Sequence, residues 1–327
     1  MKKLLISIFI LIVGVGIFSH DALVRLYQGA AIYFHSKNHL SYYKLKQNQD
    51  IEDITERLKN DSQIPLKLRQ PLLDGKRRIY IFKYLSDGKK VAGYLSLLTQ
   101  GEHPSIIFLR GGNGKFGILR PNNTFSYMEG YNVIGTLYRG NLYEGEDEFG
   151  GDDINDVENL IKFTPQLEQH TNKQIKPPFS MIGVSRGAMQ MFVSLSRSNL
   201  VKNNVQTAVS ISGNVDINTT TKLRPEMKYM FEKKFNDQKQ FNDFQRWLNY
   251  RNPVSLINQL NPSLNVLMIY GLKDNRVPIE EQNNFYNALK KTRRKVEFIK
   301  LPNADHGMDE HLDEVKKLIV KFLSHKQ

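Results

Sequence analysis

The 327-residue sequence contains no cysteine. This absence excludes disulfide bonds, thiolate metal sites and a cysteine nucleophile. The sequence also has no repeat of fixed period and no low-complexity tract, and 40% of its residues are hydrophobic. A solenoid and a disordered chain are therefore excluded, and the composition indicates a globular protein.

Acidic residues are in the minority, with 33 Asp and Glu against 46 Lys and Arg, which gives a formal net charge of +13. The densest basic stretch, residues 290–295, lies where a helix is expected to end before a strand, and a solvated helix terminus accounts for it. Since no nucleic-acid-binding motif accompanies the charge, we expect no nucleic-acid partner.

The longest apolar run, residues 4–18, is short for a membrane span, which needs about 20 residues. Lys2 and Lys3 precede it, as in a signal peptide, but Ile17-Phe18-Ser19 is a weak cleavage site. Residues 1–19 are thus predicted to be a signal peptide or an N-terminal membrane anchor, with a buried helix as the alternative. Either of the first two readings places the rest of the chain outside the cytoplasm, in the periplasm, secreted or anchored to the membrane.

Residues 20–75 are interpreted as a polar helical connector. An amphipathic helix is expected near residues 51–58, and Pro65 and Pro71 are expected to interrupt any helix that follows. We place a domain boundary near residue 75.

From residue 76 onward, strand and helix patterns alternate. Two strand patterns flank Ser86-Asp87-Gly88, which favours an antiparallel hairpin at a sheet edge. The strand patterns that follow are short apolar runs, mostly separated by helices, and one helix is expected to be capped by Asp152 or Asp153. The order predicts an α/β domain over residues 76–327, with a mostly parallel sheet of about eight strands and helices on both faces.

One segment, residues 214–260, interrupts the alternation and contains no strand pattern. Met227, Met230 and Phe231 recur there at helical spacing, and so do Phe244 and Trp247. These helices are expected either to pack on the sheet as core or to form a lid over a site.

A serine lies between two glycines in "GVSRG", residues 183–187, where a strand pattern runs directly into a helix pattern. This is the sequence and the context of a nucleophile elbow. The tight turn leaves no room for side chains beside the serine, which explains Gly183 and Gly187. Ser185 is therefore the candidate nucleophile.

A serine hydroxyl needs a base, and the base needs an acid to orient it. Asp274 follows one later strand pattern and His306 follows the last, in the chain order that this kind of site uses. Asp216, which follows another strand, stays open as an alternative acid, and a solvent-exposed loop histidine is the alternative for His306. His311 is expected on the final helix, His103 at the wrong end of its strand and His170 in a surface loop, so none of them is expected to serve as the base for Ser185.

Acyl transfer also requires donors for the oxyanion. The backbone N–H of Arg186 is one, and those of Gly111 and Gly112 in "RGGNGKFG" are the others. A phosphate-binding loop is the rival interpretation of these glycines, but neither GK[ST] nor GxGxxG follows. We expect no metal and no cofactor.

With these motifs, the sequence resembles the α/β-hydrolases, and most closely the catalytic domain of the prolyl oligopeptidase-like serine peptidase family. Beyond Ser185, Asp274 and His306, the resemblance rests on "IIFLRGGN", "LYRGNLYEGEDEFGGDDINDVENLI", "GVSRGAM" and "RNPVSLI". It implies an α/β-hydrolase fold over roughly residues 76–325 and a catalytic triad that acts through an acyl-enzyme.

The sequence departs from that family in three respects. Its peptidases usually carry a β-propeller before the hydrolase domain, for which 75 residues are too few, and the acidic residues that hold a peptide amino terminus belong to that propeller. Its oxyanion tyrosine falls at Arg110 here. Arg110 is expected either to face the site, as an oxyanion donor or a carboxylate-binding residue, or to pair with the acidic residues 144–148.

The sequence therefore predicts a serine hydrolase that cleaves a peptide, amide or ester bond in a small substrate. A small-molecule carboxylesterase and a catalytically idle binding module are the alternatives. The sequence does not determine an oligomeric state.

Overall fold

The computed structural model describes residues 36–238 and 241–324. The predicted signal peptide or anchor, residues 1–19, lies outside the described residues. Within the described part of the chain, no helix combines the length and the apolar character needed to cross a membrane.

A sheet of nine strands forms the centre of the protein, in the spatial order β1-β2-β3-β5-β4-β6-β7-β8-β9. The strands are β1 (Ile51–Asp53), β2 (Arg77–Ser86), β3 (Lys89–Leu98), β4 (Ser105–Leu109), β5 (Asn132–Thr136), β6 (Phe179–Val184), β7 (Val205–Ile211), β8 (Asn265–Gly271) and β9 (Val296–Leu301). The first three strands are antiparallel to their neighbours, and β4 to β9 run parallel to one another. The predicted mostly parallel sheet is confirmed, with one strand more than the eight expected.

Helices cover both faces of this sheet. They are α1 (Thr55–Lys59), α2 (Leu66–Leu73), α3 (Asn155–Thr171), α4 (Arg186–Arg197), α5 (Asn199–Asn204), α6 (Ile217–Leu223), α7 (Pro225–Asp237), α8 (Phe244–Tyr250), α9 (Ile279–Lys290) and α10 (Leu312–Ser324). Successive strand residues point to opposite faces. Ile107 packs with α3, α4 and α9 in one core, and Phe108 packs with α1, α2 and α10 in the other.

The first antiparallel hairpin matches its sequence signal. β2 and β3 pair along their whole length, and the two turn residues Asp87 and Gly88 have φ angles of 50° and 75°. Asp and Gly tolerate the left-handed conformation that a two-residue hairpin loop requires.

The segment before residue 75 differs from the predicted connector. Residues 51–53 form an edge strand paired with β2 rather than the start of a helix, and Pro71 lies inside α2. Leu58 and Leu72 are fully buried in the same core as Ile79. Residues 51–73 are therefore packed as part of the domain, because their apolar side chains cover the face of β2 that would otherwise be exposed.

The predicted helix caps at Asp152 and Asp153 were wrong. These residues lie in a short 3-10 turn before α3, and neither side chain caps the helix. The Asp153 carboxylate instead forms a buried ion pair with Arg186, which competes with a capping role.

The insertion at residues 214–260 contains the helices α6, α7 and α8, whose buried apolar side chains pack against α4 and the segment before α3 rather than on the sheet. Phe231 and Trp247 are fully buried in a separate apolar cluster with Phe149 and Met189. Met227 lies one turn before Phe231 on the same face of α7, where it packs against this cluster and also lines a cavity. One face of α7 thus contributes both to the core and to a cavity wall.

Candidate active site

Ser185 lies between β6 and α4 with φ 53° and ψ −121°, outside the usual regions for a residue with a side chain. A Cβ atom at Gly187 would lie 2.0 Å from the carbonyl oxygen of Leu109, and one at Gly183 would lie 2.5 Å from the backbone nitrogen of Ala188. Both positions require glycine for this close approach. The strained turn projects Ser185 at the carboxyl edge of the parallel strands.

Asp274 and His306 meet at the same edge, after β8 and β9. His306 Nδ1 is 2.8 Å from Asp274 Oδ2, and the carboxylate is fully buried. Burial opposes ionisation of Asp274, but the hydrogen bond and charge of His306, with the N–H groups of Val277 and Arg276, outweigh it and lower the pKa of Asp274. Asp274 is therefore ionised and holds the imidazole in one orientation.

Ser185 and His306 line one cavity. The Ser185 hydroxyl donates to Asn214 Oδ1 at 3.5 Å, a long and weak hydrogen bond. Among the described residues no hydrogen bond joins Ser185 to His306. Catalytic hydrogen bonds are often long without substrate and tighten when it binds, so this geometry is compatible with proton transfer.

Backbone donors surround the nucleophile. Arg186 is the first residue of α4, so its N–H has no acceptor within the helix. A Cβ at Gly111 would lie 3.1 Å from Ser185 Cβ, which shows how closely the glycine loop approaches the serine. Gly111 and Gly112 both line the cavity, as does Arg186.

Arg110 does not reach the cavity. Its side chain is 2% exposed, and its guanidinium donates to four backbone carbonyls, those of Gly111, Phe116, Gly114 and Leu137, at 2.8–3.1 Å. Within the described residues it forms no ion pair with residues 144–148. Both expectations for Arg110 were therefore wrong, because the loop that follows it folds around the guanidinium and supplies its acceptors.

The side chain of Arg186, rather than that of Arg110, pairs with acidic residues of the segment before α3. It is buried and forms ion pairs of 2.6 Å with both Asp147 and Asp153, and it donates to the carbonyl oxygen of Gly112 at 3.0 Å. Burial opposes ionisation of Asp147, but the charge and hydrogen bond of Arg186 lower its pKa to about 2. The residue after the nucleophile thus ties α4 to the glycine loop.

The cavity has a volume of about 540 Å³, and most of its wall is apolar. The apolar lining includes Phe116, Phe125, Phe149, Val184, Met227 and Met230. Asn214, Arg224 and Arg276 add polar groups that the sequence analysis did not single out. The first and last follow β7 and β8, and the convergence of carboxyl strand ends is the signal that could have identified them.

The alternative acid and the other histidines lie elsewhere. The carboxylate of Asp216 accepts from Thr219, Asn252 and Asn284, and it caps α6. His311 contacts Glu314, and His103 contacts a backbone carbonyl. The structure brings neither to the cavity.

Solved structures with a similar fold include the acylaminoacyl peptidase of Pyrococcus horikoshii, with a TM-score of 0.61, 19% identity, and coverage of 76% of this chain and 42% of that one. An esterase of Pyrococcus furiosus has a TM-score of 0.54 and 19% identity, and the match covers 78% of this chain and 95% of the esterase. A puromycin-hydrolyzing peptidase of Mycobacterium tuberculosis has a TM-score of 0.53 and 18% identity, and the match covers 68% of this chain and 35% of the peptidase. The chain thus spans about two fifths of the acylaminoacyl peptidase, and a comparison with curated proteins finds no match.

These likenesses show the fold, which is that of the α/β-hydrolases, as expected. The model of the prolyl oligopeptidase family matches residues 129–326, which is more than half of the chain and includes Ser185, Asp274 and His306. The chain therefore belongs to the prolyl oligopeptidase family.

Proposed function

We propose that the protein is a serine hydrolase that cleaves a peptide, amide or ester bond through an acyl-enzyme on Ser185. One observation carries the proposal. The Asp274–His306 hydrogen bond of 2.8 Å orients an imidazole in the same cavity as a serine on a strained strand-to-helix turn. Nucleophilic acyl transfer requires this combination of serine, base and orienting acid.

The roles of the residues follow from this geometry. Because Asp274 binds Nδ1 of His306, Nε2 is left to accept the proton from Ser185 as its oxygen attacks the acyl carbonyl. The N–H groups of Arg186 and of Gly112, with Gly111 beside them, stabilise the oxyanion. His306 then gives this proton to the leaving group. A water molecule next loses a proton to His306 and attacks the acyl-enzyme, and His306 returns that proton to Ser185 Oγ as the acyl group leaves.

Membership of the prolyl oligopeptidase family favours a peptide or amide bond. A small-molecule carboxylesterase is the second candidate, and the mainly apolar cavity of about 540 Å³ supports it, because small-molecule pockets have this size and lining. In both cases the substrate is a small peptide or ester, and the same serine chemistry acts on it.

A labelling experiment tests the hydrolase proposal. Wild-type protein treated with an active-site serine phosphonate is expected to be labelled at Ser185, and Ser185→Ala is expected to remain unlabelled. Turnover of acyl esters against aminoacyl and dipeptidyl anilides then decides between esterase and peptidase. A folded wild-type protein that neither labels nor turns over any substrate would instead support an idle binding module.

We further propose that the protein is exported or anchored to the membrane by its N-terminal segment. Lys2 and Lys3 followed by the apolar residues 4–18 support this location. Fractionation of cells that express the full chain tests it, and recovery of all the protein with the soluble cytoplasm would contradict it.

A further inference from the structure

A buried carboxamide lies beside the nucleophile. Asn214 follows β7, is 4% exposed and lines the cavity. Its Oδ1 atom is 3.5 Å from Ser185 Oγ. Its Nδ2 atom is buried and has no hydrogen-bond partner among the described residues.

The loop that carries Asn214 is fixed on both sides. The backbone N–H of Asn214 donates to the carbonyl oxygen of Ser185 at 3.0 Å. The carbonyl oxygen of Gly213 accepts from Gln282 Nε2 at 2.6 Å, and the N–H of Val215 donates to Glu281 Oε2 at 3.2 Å. The carboxamide is therefore held close to Ser185 while the backbone around it is satisfied.

An unpaired buried amide donor costs free energy that a partner would recover. The hydroxyls of Ser210 and Ser212 nearby also lack partners, but of these three residues only Asn214 lines the cavity. Because Asn214 lines the cavity, a molecule bound there can supply the missing acceptor.

We propose that Asn214 is a specificity residue whose carboxamide donates a hydrogen bond to a carbonyl oxygen on the acyl group of the substrate. The inference rests on the proposed hydrolase function and narrows its substrates to acyl groups with a second carbonyl a few bonds from the scissile one. Such a carbonyl occurs in a keto acid ester and in the carboxamide of an asparaginyl peptide. An apolar acyl group of equal size would displace water from Asn214 and leave its amide donor unpaired, so the enzyme discriminates against it.

Two pairs of nearly isosteric substrates test the inference. The ester pair is p-nitrophenyl 4-oxopentanoate and p-nitrophenyl 4-methylpentanoate, and the amide pair is the p-nitroanilides of asparagine and leucine. For wild-type protein, kcat/KM is expected to be at least about tenfold higher for the carbonyl-bearing member of the pair that the enzyme accepts. The pair that shows the preference also identifies the source of the carbonyl.

The variants connect the preference to one side chain. Asn214→Leu is expected to reverse the preference, and Asn214→Asp, which keeps the size but loses the donor, is expected to abolish it. Asn113→Leu is the matched control and is expected to keep the wild-type ratio, because Asn113 lines the same cavity but its Nδ2 is 3.6 Å from Met230 Sδ. Circular dichroism and thermal unfolding check that each variant is folded.

The possible failures are distinguishable. A wild-type ratio near one, or the same ratio in Asn214→Leu and Asn214→Asp as in wild type, overturns the inference while turnover of p-nitrophenyl acetate leaves the hydrolase function intact. If wild-type protein hydrolyses no ester or anilide and is not labelled at Ser185, the proposed function fails, and the inference fails with it.

Discussion

The acid of the proposed triad is the sharpest test at the scale of single residues. Asp274→Asn keeps the shape of the side chain but removes the charge that orients His306, so kcat is expected to fall by about 10³- to 10⁴-fold. Steady-state kinetics with an activated ester measures the loss. Asp216→Asn is the matched control, because Asp216 caps α6 and is bound to Asn252 and Asn284 rather than to His306.

The control variant is expected to keep its helix cap, because Asn caps helices about as well as Asp, and its kcat is expected to stay within a few-fold of wild type. If Asp216→Asn instead lost activity as strongly as Asp274→Asn, the assignment of the acid would be wrong.

At the scale of elements, α9 holds the loop after β7 through the buried carboxyl group of Glu281. Thr220 Oγ1 donates to Glu281 Oε1 at 2.6 Å, and the N–H of Val215 donates to Oε2 at 3.2 Å. Burial, with a smaller contribution from the charge of Asp216, raises the pKa of Glu281 from 4.5 to about 8 despite these hydrogen bonds. The folded protein therefore binds a proton at this residue that the unfolded chain has already released at neutral pH.

Because the folded state holds this proton more tightly than the unfolded state, the stability of the wild-type protein falls as the pH rises. The unfolded state loses its proton near pH 4.5 and the folded state near pH 8, so Glu281 lowers wild-type stability progressively across this window, by about 1.4 kcal/mol for each pH unit. Glu281→Gln stays neutral and can still accept from Val215, so its stability is expected to exceed that of wild type increasingly above pH 5. Urea unfolding at pH 5 and pH 8.5 measures the difference, and parallel pH profiles of the two proteins would contradict the prediction.

Two consecutive residues of α7 give a second element-scale prediction. Met230 lines the cavity, and Phe231 is fully buried against Phe149 and Trp247. Met230→Ala enlarges the cavity, so the ratio of kcat/KM for long to short acyl esters is expected to rise at least about threefold. Phe231→Ala is expected to cost about 3–5 kcal/mol of stability and leave this ratio unchanged. An unchanged ratio in Met230→Ala would show that Met230 does not limit the length of the acyl group.

Local signals account for the candidate residues that the sequence predicts. Ser185 is predicted because the elbow depends on neighbouring glycines, and Asp274 and His306 because each lies a few residues after a strand. The contacts of Arg110 were not predicted, since the acceptors around its guanidinium depend on the path of the following loop and on Leu137, 27 residues away. The three-residue strand β1 was also missed, because a strand so short has no periodicity and forms only by pairing with β2.

At the scale of the whole molecule, residues 51–73 are expected to unfold together with the rest of the domain. Leu58 and Leu72 are fully buried against the core that contains Ile79 and Ile81 of β2. Leu58→Ala leaves a cavity in this core and is expected to cost about 2–5 kcal/mol of unfolding free energy. Leu66→Ala, on the same segment but 58% exposed, is expected to change stability by no more than about 0.5 kcal/mol.

Thermal unfolding followed both by circular dichroism and by loss of esterase activity measures this coupling. If the segment folds with the domain, Leu58→Ala lowers the midpoints of both signals together, because one transition exposes the core of β2 and disassembles the site. An independent connector would unfold earlier by circular dichroism while activity retained the wild-type midpoint. Coincident shifts would therefore place the domain boundary before residue 51 rather than near residue 75, since a segment whose apolar side chains complete the core cannot unfold without exposing it.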